Sequence, residues 1–222
     1  GDRIIVAISG GPDSTALLDL MCRWRDEGGD FQLASAHFNH MLRPEADDEQ
    51  LFVQELCRKY GIECFVGKIN ISEKAELINV SVHAAARQFR YDFLVETAEN
   101  FTRSLNRGRR CLILTGHHRD DQIETILMRI VQGSDLMSLT GIRRKEVWKN
   151  KGNVFIVRPL LDFTHTGIET YCRERGLPFV IDRSNEDQSY PRNRIRYQTV
   201  PLFRELFGET ILIEIAKYAE II

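Results

Sequence analysis

Residues 9–14 read Ser-Gly-Gly-Pro-Asp-Ser, after an apolar run and before a run with helical spacing. Glycines let backbone N–H groups approach an anion closely. The positive end of a helix dipole adds to the attraction. A strand, a glycine loop and a helix start in that order form a cradle for phosphate. The loop is not GxxxxGK[ST], because no lysine follows Gly11, and it is not GxGxxG. Asp13 is an anion placed among phosphates, which makes chemical sense chiefly for a magnesium partner. A tight strand–helix turn capped by Ser14 is the plain alternative. The complete hexapeptide in a strand–loop–helix setting favours the cradle.

A second stretch reads Thr115-Gly116-His117-His118-Arg119-Asp120-Asp121-Gln122-Ile123-Glu124-Thr125. His117, Asp121 and Glu124 recur at i, i+4 and i+7 and share a helical face. A carboxylate pair there can hold an ammonium, bind magnesium or position a base. Acids in a first helical turn, with Asp120 as a cap, also suit the dipole. That explains the acids but not the two histidines before them. His37 and His40 stand three apart, with no carboxylate or third histidine beside them. They read as hydrogen-bonding or substrate-facing rather than metal-binding, and Arg43 closes the same segment. Arg87 and Arg90 share a helical face. They are either surface arginines paired with acids, or Arg87 meets phosphates in the bidentate manner that suits a guanidinium. Residues 190–196, Tyr-Pro-Arg-Asn-Arg-Ile-Arg, are either a polar loop entering a helix or a surface that contacts RNA.

Elements must hold these pieces in place. Apolar runs predict strands over 3–9, 32–38, 63–69, 111–116 and 154–158. Helical spacing predicts helices over 14–27, 45–60, 81–101, 120–132, 164–176 and 199–222, with a short extended piece at 179–182. Strands alternating with helices argue for a parallel sheet covered on both faces. Such sheets bind ligands at the carboxyl ends of their strands, near the switch point. The last helical pattern carries no stop signal, so the chain reads as cut from a longer protein.

The bulk figures exclude several classes. At 222 residues the chain can bury a sizeable core. No apolar run approaches a membrane span, and the sequence opens almost directly on a strand, so no signal peptide is expected. Five scattered cysteines without a CxxC pair suggest free thiols in a reducing cytoplasm. A net charge of −2 argues against the whole surface binding nucleic acid. Local basic runs at 103–110, 143–151 and 192–196 leave room for basic patches.

The hexapeptide resembles the SGGxDS pyrophosphate loop of the N-type ATP pyrophosphatases. Together with AHFNHMLRPEADDEQ, AARQFRY, TGHHRDDQIETILMR, RPLL and DRSNEDQSYPRNRIR, it resembles the tRNA(Ile)-lysidine synthetase family along nearly the whole chain. The resemblance implies a Rossmann-like adenine nucleotide alpha hydrolase fold, with an ATP pyrophosphatase domain over 1–160. The end of the catalytic region and a helical extension would follow over 161–222. It implies a cytoplasmic ligase that adenylates the wobble cytidine of the CAU anticodon of tRNA(Ile) with ATP and Mg²⁺, then joins L-lysine to it. Ser9, Gly10, Gly11, Pro12 and Ser14 would hold the pyrophosphate, Asp13 the metal, and Arg87 the ATP. Asp121 and Glu124 would face lysine, with His117 lining that pocket. His37, Arg43, Asp120, Arg192, Asn193 and Arg196 would line the site or meet the RNA. A homodimer is part of the same expectation. The rival readings are a tRNA thiolase of the two-thiocytidine kind, which should show site cysteines, an ammonia-using synthetase, and an ATP-binding module without catalysis.

Overall fold

A computed structural model describes residues 2–102, 110–133, 139–148, 153–181 and 190–221. Six strands form one sheet: β1 (Asp2–Ala7), β2 (Phe31–Asn39), β3 (Glu63–Lys68), β4 (Cys111–Leu114), β5 (Lys145–Val147) and β6 (Val154–Val157). Their order is β3-β2-β1-β4-β6-β5. All neighbours are parallel except β5 on β6, which is antiparallel. Ile5, Val6, Ala34 and Ile113 are fully buried in the central strands, because both faces are covered. The β2 and β4 ladders flank β1, so the chain leaves β1 in one direction and later returns on its other side. That switch opens the crevice at the carboxyl ends of β1 and β4.

The helices are α1 (Pro12–Asp26), α2 (Ala46–Lys59), α3 (Ile71–Ile78), α4 (Val82–Thr102), α5 (Arg119–Val131), α6 (His165–Glu174), α7 (Pro191–Arg194), α8 (Val200–Phe207) and α9 (Glu209–Ile221). Ile195–Thr199 forms a π-helical turn between α7 and α8. One core joins α1, α2 and α6 to the sheet through Leu17, Leu18, Val53, Leu56, Ile168 and Cys172. On the opposite face Tyr91, Leu94, Val95 and Ala98 of α4 pack on Ile5, Ile113 and Ile156. A third cluster sets α5 against the C-terminal helices through Ile123, Ile126, Leu127, Ile195, Val200, Leu212 and Ile215.

Several expectations change in detail. The helix predicted over 199–222 is broken at Gly208, which takes a φ of 77° that other residues avoid. Four elements were not expected: β5, α3, α7 and the π turn that follows it. The piece expected to be extended at 179–182 joins no strand through 181. Its Val180 N–H instead donates to the Gly10 carbonyl at 2.9 Å. Arg103, Arg107, Arg109, Lys149 and Lys151 of the basic runs, and residues 182–189, lie outside the described residues. No helix among the described residues is long and apolar enough to cross a membrane.

Asp19 locks the α1 face. It is buried in α1, yet accepts from Tyr60 Oη at 2.8 Å and Tyr171 Oη at 2.5 Å, and Arg175 Nε lies 3.5 Å away. Burial pushes its carboxyl up, but the two tyrosine hydrogen bonds and Arg175 outweigh this and hold it below the ordinary 3.8. A carboxyl depressed in the folded state stabilises the fold above that value and loses the contribution as pH falls beneath it. Tyr171→Phe should therefore lower the unfolding free energy near neutral pH by about 1 kcal/mol. It should also weaken the loss of stability on acidification below about pH 4. Urea midpoints measured across that range check both, and identical pH profiles for the two proteins would remove Asp19 as a lock.

Candidate functional site

The loop after β1 is built from hydroxyls and bare backbone. Gly10 sits at φ 91°, where a Cβ would be strained and would also press on Val53 at 3.3 Å. Ser14 Oγ accepts from the Ser9 N–H at 3.1 Å, pairs with Ser9 Oγ at 3.1 Å and donates to the Gly11 carbonyl at 3.1 Å. Thr15 N–H returns to Gly11 at 3.0 Å and starts the helical ladder. Gly11 is the N-cap of α1 and supplies no side chain, while Pro12 takes the first-turn position where a missing N–H costs nothing. The first-turn N–H groups beyond Pro12 are thus left for an anion.

The loop after β4 is pressed against the first one. A Cβ on Gly116 would meet the Asp13 carbonyl carbon and the Ser14 nitrogen at 3.1 Å each, so a side chain there would press the two loops apart. Thr115 Oγ1 lies 2.9 Å from His117 Nδ1. Burial, the largest influence, brings His117 down to about 3 despite Asp121, with Arg158, Arg90 and Arg87 adding to the fall, so this imidazole is neutral at physiological pH. His118 caps α5 in a reciprocal box. Its Nδ1 accepts from Asp121 N–H at 3.4 Å, and its own N–H donates to Asp121 Oδ2 at 3.1 Å. Burial works against charge on His118, but Asp120, Asp121 and Asp13 raise it overall. Asp120 accepts from the His165 N–H at 2.7 Å. Burial pushes Asp120 up, yet His118 and that N–H bring it down to about 2.

Asp121 and Glu124 face two arginines. Glu124 is 1% exposed. It accepts from Arg192 Nε at 2.8 Å and from Arg196 Nε at 2.5 Å, and Arg196 adds a second bond at 3.1 Å. Asp121 Oδ1 meets Arg192 at 3.1 Å and Arg196 at 3.4 Å. Burial opposes charge on Asp121, but His118, Arg192 and His117 hold its carboxyl below the usual range. Asn193 lies half-buried on α7 between the two arginines.

The remaining candidates sit elsewhere on the same fold. His37 is 4% exposed on β2, with Nδ1 2.9 Å from the Ile8 carbonyl and Nε2 buried without a hydrogen-bond partner. Arg43 donates to both Glu49 oxygens, at 2.9 and 3.0 Å. Arg87 lies on α4 with its guanidinium carbon 4.8 Å from the centre of the Tyr91 ring. Two residues that were not expected join the site. His118 approaches Asp13 Oδ1 at 3.9 Å, and His165, at the start of α6, approaches the same oxygen at 3.1 Å. The His-His doublet was the one local sign of His118. His165 stands 152 residues from Asp13, and no spacing rule connects them.

A glycine cradle at the end of β1, closed by the loop after β4 at a switch point, coincides with a match of residues 1–203 to the family model described as PP-loop domain. The chain belongs to the PP-loop domain family. This PP-loop domain is 37% identical over 213 residues to "tRNA(Ile)-lysidine synthase" of Clostridium tetani, covering 96% of this chain and 43% of the relative. It is 39% identical over 201 residues to "tRNA(Ile)-lysidine synthase" of Persephonella marina, covering 90% of this chain and 41% of the relative. The chain therefore spans less than half the length of these relatives. Among solved structures, the U34-tRNA thiolase NcsA from Methanococcus maripaludis superposes with a TM-score of 0.76 at 17% identity, over 99% of this chain and 71% of that one. That likeness concerns the fold.

Two substitutions test the packing of the site. Glu124→Gln leaves Arg192 and Arg196 short of an anion. It should cost about 2–3 kcal/mol, the low end for a broken buried pair, because both guanidiniums keep some water. Gly116→Ala should cost about 1–3 kcal/mol, as overpacking against backbone does. Urea unfolding measures both, and wild-type midpoints would contradict this packing.

Proposed function

We propose that the protein of which this PP-loop domain is part is an ATP-dependent tRNA(Ile)-lysidine synthetase. The observation that carries the reading is the meeting, at the carboxyl ends of the strands, of a phosphate cradle and a buried acid pair lined by two arginines. The printed names of the relatives support the same reading. In the first step the cytosine 2-oxygen attacks the α-phosphorus of ATP and pyrophosphate leaves. The first-turn N–H groups of α1 and the Ser9 and Ser14 hydroxyls meet the leaving diphosphate, whose growing charge such fixed dipoles stabilise. Arg87 belongs with the nucleotide phosphates in this scheme. In the second step the lysine ε-amine attacks the activated ring carbon. AMP leaves with the C–O bond electrons, and the nitrogen gives up a proton.

The protonation states assign roles. Asp121 is held ionised and is thus a weak base, which suits holding the lysine ammonium better than taking its proton. His117 is neutral and offers a hydrogen bond without repelling an incoming cation. Arg192 and Arg196 already balance Asp121 and Glu124, so they form the wall against which lysine or the RNA backbone must fit, with Asn193 next to Arg192 on α7 and Asp120 next to Asp121 on α5.

Magnesium takes one or two carboxylates together with phosphate oxygens and water. Asp13, partly exposed beside the cradle, fits as such a carboxylate. The ion would neutralise charge on the departing diphosphate. The cysteines do not favour a thiolase: Cys22, Cys57, Cys111 and Cys172 are buried, and none of the five stands in a site loop.

The test is transfer of labelled lysine to a CAU-anticodon tRNA(Ile) with ATP and Mg²⁺, scored with pyrophosphate release. Lysine in the RNA is the expected outcome, and pyrophosphate release without lysine would redirect the reading to another nucleophile. Asp13→Asn should abolish pyrophosphate release. Asp121→Asn should raise the KM for lysine by about tenfold or more while changing pyrophosphate release less. Equal losses in both steps would contradict an ammonium-holding role.

A further inference from the structure

We propose that Asp13, His118 and His165 form a binding site for a divalent transition-metal ion of the zinc and cobalt class. One ligand atom from each lies within 4.8 Å of the other two. Asp13 Oδ1 is 3.1 Å from His165 Nδ1 and 3.9 Å from His118 Nε2. Ligands held about 2.0–2.2 Å from one zinc ion stand roughly 3–3.6 Å apart in a tetrahedron, so Asp13 and His165 already have that spacing and the His118 imidazole must move inward to join them. The two rings lie 5.1 Å apart at an interplanar angle of 33°.

The far nitrogen of each histidine also faces a carboxylate. Asp120 Oδ2 lies 3.5 Å from His118 Nδ1, and Glu169 Oε1 lies 3.4 Å from His165 Nε2. A carboxylate behind a histidine favours the tautomer that leaves the facing nitrogen free to ligate, the usual companion of metal-binding histidines. At His118 that tautomer turns Nδ1 from the acceptor of the Asp121 N–H into a donor to Asp120, so metal binding exchanges the cap bond for this one. Asp120 additionally accepts from the His165 backbone N–H, so one carboxylate braces both ligand histidines. His118 Nε2 has a second acceptor in Asp121 Oδ2 at 3.4 Å, and metal binding exchanges that contact for coordination.

Two imidazoles and one carboxylate suit zinc, cobalt or manganese, whereas magnesium favours oxygen ligands. Three protein ligands leave coordination positions open, as in sites that meet a substrate rather than staple a fold. His165 is 43% exposed and gives a path for entry, while His118 is 6% exposed and anchors the site. The site shares Asp13 with the magnesium reading above, but its test stands apart from lysine ligation, because metal binding is read without tRNA, ATP or turnover.

The experiment is a titration of the intact, reduced protein with Co²⁺, followed by visible absorption and calorimetry. One saturable equivalent with a nitrogen- and oxygen-ligand spectrum is expected. His165→Ala should weaken binding by about 100-fold. Glu169→Gln should weaken it about tenfold, within the range for groups behind a ligand. Circular dichroism should be unchanged in both. No saturable Co²⁺, wild-type affinity in His165→Ala, or a thiolate-to-cobalt charge-transfer band would each overturn the site. The first would leave His165 and Asp13 as a hydrogen-bonded ion pair, and the last would place the metal on cysteines.

Discussion

A carboxylate with 1% of its surface in contact with water, as at Glu124, must find its hydrogen-bond partners and counter-charges inside the protein. The chain supplies both cations from one short segment, Arg192 and Arg196, one helical turn apart and 68 and 72 residues beyond the acid. Everything on that side of the sheet must be compatible with the meeting. The arginines reach α5 because Ile195 and Val200 pack on Ile123, Ile126 and Leu127. Pro201 lacks an N–H, and just before it the helix widens into the π turn at Ile195–Thr199. Apolar packing brings the guanidiniums near, and the buried charge makes their exact placement matter.

The loop after β4 couples this ionic cluster to the phosphate cradle. Gly116 leaves no room for a side chain against the backbone of Asp13 and Ser14. Two residues on, His118 points toward Asp13, and three further on Asp121 points toward the arginines. A single turn of chain thus carries the groups that answer to phosphate and the groups that answer to an ammonium. A sub-ångström shift of that turn is felt in both places, because packed loops have little slack.

How far the sequence could be read depended on how local each feature is. The cradle was legible because its loop, strand end and helix start are contiguous, and five apolar strands were legible for the same reason. The β5 strand reads Lys-Glu-Val, which has neither length nor apolar pattern, and only its pairing with β6 makes it a strand. The α3 helix carries only a short local signal: Asn70 caps it and Glu73 follows three residues later. Gly208 was visible as a breaker, but the apolar spacing on either side hid the change of direction. The acids at 121 and 124 were recognisable on a shared face, whereas their partners were not. An ion pair that closes over some 70 residues leaves no trace in local spacing. The same holds for His165, which depends on α6 packing beside α1 and on the Asp19 lock that keeps it there.

The basic run at 143–145 has a consequence for how the molecule behaves in company. It begins the antiparallel β5, one outer margin of the sheet. Open margins of sheets invite other chains to add strands. Here the margin is three residues long, Arg144 is held by Asp162 at 2.7 Å, and the Lys145 ammonium lies 4.3 Å from the centre of the Phe155 ring. Glu146 pairs with the buried Arg158 just past the end of β6. A margin so short and so heavily charged offers little template for another strand. Charge on this lateral edge thus turns strand addition away from one side of the sheet, while the site lies at the carboxyl ends of its central strands.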